Sequence, residues 1–108
     1  MITREYGHPK FYRILDELAD LHSKKNHQYA TKDNPLGNFT RTGYLTKKLW
    51  KEGIDERLAI ALAYMSKQVD GVYEMVGEGK KDTVEELKDK LMDIAIYSVI
   101  CIILCEEK

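Results

Sequence analysis

The stretch Glu85-Glu86-Leu87-Lys88-Asp89-Lys90-Leu91-Met92-Asp93, continuing as Ile94-Ala95-Ile96-Tyr97-Ser98-Val99-Ile100-Cys101-Ile102-Ile103-Leu104-Cys105, decides the fold. It contains neither Gly nor Pro, and Leu87, Leu91, Ile94, Ala95, Val99, Ile102 and Ile103 recur at spacings of three and four, the period of a helix. Asp82 or Thr83 is placed to cap it, and Glu85 or Glu86 completes a capping-box pattern. The pattern ends near Cys105. Its most apolar run, Ile94 to Cys105, follows Asp93 directly and falls well short of the roughly 20 residues that a membrane span needs. It reads as a core helix, with a face that a partner subunit could share.

Working outward from this helix, sparse punctuation (two Pro and seven Gly) favours long helices over a many-stranded sheet. Upstream, Asp55 is a good N-cap. Leu58, Ile60, Ala61, Leu62, Met65, Val69, Val72 and Met75 then carry a helical pattern to about Val76. Gly71 lies inside it, as a weak point or a point of close helix approach. Near the start of the chain Pro9 suits a first helical turn, and Phe11, Ile14, Leu15, Leu18 and Leu21 predict a helix over about 9–28. Residues 30–43 hold Asp33-Asn34-Pro35, Gly37, Asn38 and Gly43, and read as a loop. A short helix over Tyr44 to Trp50, stopped by Gly53, completes an all-α fold. The expectation is a small helical bundle of three long helices plus one short helix, a single domain over 1–108.

The composition, 44% hydrophobic and 32% charged, is that of a globular chain and too apolar for a disordered one. A formal net charge of -1 gives no reason to expect a nucleic-acid surface. A polyanionic partner must then be small, and met locally by a few cations or a metal. Met1 to Lys10 is polar and contains Pro9, unlike a secretory signal. With no membrane segment either, the expected setting is cytoplasmic. Cys101 and Cys105 lie one helical turn apart, poor geometry for a disulfide, and are expected as buried free thiols.

Carboxylates are the most informative feature. Glu17 and Asp20 are three apart on the first helix. Glu85, Asp89 and Asp93 form a row on the last one, bordered by Glu86. Asp93 interrupts an apolar face, and a carboxylate near a core needs a counter-charge or a metal. Mg²⁺ takes oxygen ligands and keeps waters for a phosphate substrate. The same spacing also fits a plainer reading, in which Glu85 and Glu86 oppose the helix macrodipole and Glu17 and Asp20 are solvated. Lys24-Lys25-Asn26-His27-Gln28-Tyr29 offers cations, an amide and an aromatic ring that suit a phosphate and a base, or else forms an ordinary basic helix end. His22, beside the apolar face, reads as a packing residue. His8 and His27 carry no partner signal. No Ser-His-Asp or Cys-His set and no Gly-rich phosphate loop is recognisable.

In order and spacing, three segments together resemble the small phage and bacterial MazG-like domains of the all-α nucleotide pyrophosphohydrolase superfamily, near the nucleotide-modification-associated domains. They are Glu17-Leu18-Ala19-Asp20-Leu21-His22 with Lys25-Asn26 and Tyr29, Asp33-Asn34-Pro35-Leu36-Gly37-Asn38-Phe39, and Glu85 to Tyr97. The resemblance runs from about Phe11 to Glu107. It implies a homo-oligomer, with Mg²⁺ (Mn²⁺ as the alternative) held by carboxylates of two helices. It also implies hydrolysis of a nucleoside triphosphate to the monophosphate and pyrophosphate. By position, Glu17, Asp20, Glu86 and Asp89 stand for the metal-binding and catalytic acids. Glu85 is the alternative to Glu86, and Asp93 is a further ligand or a positioning group. Lys25, Asn26, Tyr29, Asn38 and Lys67 would face the nucleotide. The first pair reads Glu-x-x-Asp where Glu-x-x-Glu is usual. The middle helix has Ser66-Lys67 and then Asp70 where Asp-Lys and a following Arg are usual, so one expected cation is missing. A binder that sequesters a nucleotide or nucleotide signal without turnover is the alternative function.

Overall fold

In a computed structural model, residues 2–29, 32–78 and 84–107 are described, the side chains of residues 28, 29, 38 and 78 excepted. The chain is all-α. Its helices are α1 (Pro9–Tyr29), α2 (Gly37–Thr46), α3 (Glu56–Glu78) and α4 (Val84–Glu106), with a 3₁₀ turn at Lys47–Leu49. No β-strand occurs among the described residues, and no helix among them is long and apolar enough to cross a membrane. The chain divides into two compact units, Met1–Gly37 and Asn38–Lys108, a division that the sequence reading did not draw.

In the first unit, α1 starts where Pro9 predicts. His8 begins it in earnest: its Nδ1 accepts the Lys10 N–H at 3.0 Å and its carbonyl accepts the Phe11 N–H at 2.9 Å. A histidine therefore fills the capping role usually taken by Ser, Thr, Asp or Asn. The preceding residues fold back along the helix. The Ile2 N–H donates to Asp16 Oδ1 at 3.1 Å, and the Tyr12 hydroxyl donates to the Tyr6 carbonyl. Gly7 makes the bend at φ +106°, a conformation open mainly to glycine, and a Cβ there would meet the Tyr12 hydroxyl at 2.7 Å. At the other end, Asn26 Nδ2 donates to the Pro35 carbonyl at 2.6 Å and fastens the helix to the following turn.

The second unit is organised by α3 and α4, each 23 residues long or about 34 Å. They run antiparallel: Tyr64 meets Tyr97, Gln68 meets Asp93, and Gly71 lies against Lys90. Each advance along α3 is matched by an equal retreat along α4. Ile60, Ala61, Ile100 and Leu104 are buried, and fully covered Ala61 marks a site with no room for a longer side chain. Asp55 caps α3 as expected, its Oδ1 accepting the N–H groups of Arg57 (2.9 Å) and Leu58 (3.4 Å). Arg57 then reaches from Asp55 (3.6 Å) to Glu107 (3.4 Å), joining the start of α3 to the end of α4. The expected cap of α4 at Asp82 or Thr83 lies outside the described residues.

One expectation about the helices is overturned. Residues 37–43, read as loop, are helical, and the short helix begins at Gly37 instead of Tyr44. Tertiary packing accounts for the difference. Phe39, 4% exposed, is buried between Tyr64 and Tyr97, with ring centroids 6.0 and 6.3 Å away. Covering that ring offsets the weak helix propensity of Gly and Asn. Gly43 was misread for a related reason. It stands inside α2 because the helix passes close to the start of α3, where a Cβ would lie 3.1 Å from the Glu56 carbonyl carbon and 3.2 Å from Arg57 N. Gly53 does make a turn, at φ +91°.

Gly43→Val should destabilise the chain by about 1–3 kcal/mol, since backbone must move to admit the side chain. Asp55→Ala should cost about 1 kcal/mol through loss of the cap. Urea denaturation followed by circular dichroism measures both, and an unchanged midpoint for Gly43→Val would contradict the close approach.

Candidate functional site

Within the second unit, the acids of α4 fall into two environments. Glu85, Glu86 and Asp89 are exposed, in the first two turns of the helix. Glu85 pairs with Lys88 of its own helix at 3.7 Å, and both side chains are exposed. Asp93, one turn further on, is half-buried, and Gln68 Nε2 of α3 donates to its Oδ2 at 3.4 Å. Lys90 Nζ in turn donates to Gln68 Oε1 at 3.4 Å, its alkyl stem lying over Gly71. Asp93 therefore sits in a chain of long hydrogen bonds, Lys90 to Gln68 to Asp93, that spans the two helices. Its odd position on an apolar face is explained at least in part by a partner on α3.

In the first unit, Glu17 is exposed and forms an ion pair with Arg13 at 3.3 Å, while Asp20 is exposed. Both therefore present carboxylates to solvent from the same helix. Lys25 is half-buried and engaged in an interaction of its own. The Asn26 amide is committed through Nδ2 to Pro35. Lys67 on α3 is exposed. The side chains of Tyr29 and Asn38 lie outside the described residues.

Among the described residues no three His, Cys, Asp or Glu side chains are gathered into a ready metal cage. The donor chemistry of α4 nonetheless fits a hard cation. Glu86 and Asp89 are exposed carboxylates three residues apart on one helix, and Mg²⁺ is commonly held by one or two carboxylates with water and substrate phosphates filling the remaining positions.

Sequence reasoning missed Gln68, because a neutral amide on a long helix gives no signal until its partner is known. It also missed the aromatic group of Phe39, Tyr64 and Tyr97, which lies one turn along the α3–α4 seam from Gln68 and Asp93 and closes off that side. The repeated offset, Tyr64 to Gln68 and Asp93 to Tyr97, was the available clue. The two cysteines are free, as expected, but they are not both buried. Cys101 is half-buried and Cys105 is exposed, because Cys105 lies on the outer side of a last turn whose Leu104 is buried. Burial, and secondarily the proximity of Cys105, pushes the Cys101 thiol above its ordinary value.

No protein-family model, no curated protein and no solved structure matches this chain.

Alkylation by iodoacetamide near pH 8 should modify Cys105 well before Cys101, because only the thiolate reacts and burial disfavours it at Cys101. Raising the pH should narrow the gap. Peptide mass spectrometry over a time course reads the order, and faster loss of the Cys101 thiol would contradict the placement of the two.

Proposed function

We propose that this chain is a Mg²⁺-dependent nucleoside triphosphate pyrophosphohydrolase of the MazG-like kind, converting a (d)NTP and water to the monophosphate and pyrophosphate. The observation that carries the reading is the division of α4. Its first half presents Glu85, Glu86 and Asp89 to solvent, and Asp93 is steadied by Gln68, on a helix whose second half is apolar. Acids three and four apart repel one another, an arrangement that a bound cation would relieve. The order of segments quoted above supports the same assignment.

On this reading Glu86 and Asp89 hold the metal, and Glu17 and Asp20 are assigned to the same task. Glu85 is the substitute for Glu86. Bound Mg²⁺ supplies neutralisation of the triphosphate charge. A carboxylate free of metal accepts the proton of the attacking water. The water oxygen forms a new bond to the α-phosphorus, the bond from that phosphorus to the α–β bridging oxygen breaks, and pyrophosphate leaves. Lys67 and Lys25 are assigned to phosphate oxygens, with Asn26, Tyr29 and Asn38 assigned to the nucleoside. Gln68 acts through Asp93 and is a positioning residue.

A homo-oligomer belongs to the same proposal. Val99 and Ile102 on α4 and Tyr73 and Val76 on α3 are more than half exposed, although they continue the helical periods of the core. A second copy of the chain would cover such surface. Charge placed there, as in Val99→Glu with Ile102→Glu, should yield a smaller species by light scattering with helix content retained. An unchanged mass would remove these residues from any interface.

Incubation with each NTP and dNTP and Mg²⁺, with and without EDTA, tests the activity. Metal-dependent release of monophosphate and pyrophosphate is expected, and Asp89→Asn should reduce turnover by at least about 100-fold while leaving the circular dichroism spectrum unchanged. Full activity in Asp89→Asn would overturn the assignment of the acids. Tight nucleotide binding without turnover would move the reading to a sequestering protein.

A further inference from the structure

The segment after α2 carries a feature that the carboxylates do not use. A cavity of about 300 Å³ within residues 47–56 is lined by Lys47, Lys48, Trp50 and Lys51, and also by Glu52 and Glu56. Three lysines fall within five residues here, in a chain whose net charge is -1. Lys47 lies over the ring of Tyr44, 4.6 Å from its centroid. Lys48 and Lys51 are exposed, and their side chains make no ion pair or hydrogen bond among the described residues. The three lysines outnumber the two glutamates of the lining, so the cavity keeps a positive charge that an anion relieves.

The aromatic wall is fixed in place. Trp50 is half-buried, and its indole N–H donates to Thr46 Oγ1 at 3.2 Å. That hydroxyl donates to the Thr42 carbonyl at 2.8 Å. The ring is thus held by a relay into the last turn of α2, and its orientation costs no further ordering when a ligand arrives. A fixed aromatic face beside two ammonium groups that form no ion pair among the described residues suits a planar group carrying a phosphate.

We propose that the Lys48–Trp50–Lys51 cavity binds a small phosphorylated molecule with an aromatic moiety, of the nucleoside monophosphate class, and that it does so without a metal. The lysines take the phosphate and the indole takes the ring. The site is separate from the acids of α4 and does not depend on the activity proposed for them.

Trp50 is the only tryptophan of the chain, so its fluorescence reports on this cavity directly. Titration of the full chain with AMP in EDTA should give a saturable change in emission that weakens with added salt. Lys48→Gln with Lys51→Gln should weaken the apparent affinity about tenfold or more, while Lys48→Arg with Lys51→Arg should retain the response. Asp89→Asn should leave it unchanged, which separates this site from the proposed metal site. No response to AMP, or an equal response in the double Gln variant, would overturn the proposal. So would a response lost in Asp89→Asn, or one given only by phosphatidylglycerol vesicles.

Discussion

The second unit depends on the contact of three aromatic rings, Phe39, Tyr64 and Tyr97, each about 6 Å from the other two. Two of the rings belong to the long antiparallel helices and the third to the short one. The contact therefore fixes where α3 and α4 meet and holds α2 across their seam. Without the burial of Phe39, residues 37–43 have little reason to be helical. Gly43 completes the arrangement by letting α2 pass close to the start of α3. Asp55 begins α3 at that point, and Arg57 ties it to the end of α4. Capping and packing thus agree at one end of the seam, where they outweigh local propensity.

How much of this could be read in advance follows from the range of each interaction. The long helices were legible because their apolar residues repeat over several turns, and Asp55 because a cap acts on N–H groups two and three residues away. The start of α2 was not legible. Its Gly and Asn are ordinary turn residues, and only the distant partners Tyr64 and Tyr97 outweigh them. His8 was passed over because imidazole is an unusual cap. The exposure of Cys105 was not legible because, in a helix end that is apolar all round, the sequence does not say which side is covered.

The candidate site divides in the same manner. The placement of Glu85, Glu86, Asp89 and Asp93 on one helix followed from spacing, as did the position of Glu17 and Asp20 on another. The different surroundings of Asp93 and Asp89, one held by an amide and one open to water, did not follow from spacing. They depend on which residue of α3 lies opposite, and no pattern within α4 carries that information.

The hydrogen-bonded chain of Lys90, Gln68 and Asp93 also selects among alignments of the two helices. Apolar side chains at helical spacing pack almost as well after a slip of one turn, so the aliphatic part of the seam discriminates weakly. A one-turn slip of α4 along α3 would set Asp93 beside Tyr64 or Val72, away from the Gln68 amide, and would give up this bond between the helices. The polar pair thus acts as a registry key, as a single buried polar residue does in a coiled coil. It makes the correct alignment the one in which Lys90, Gln68 and Asp93 are joined.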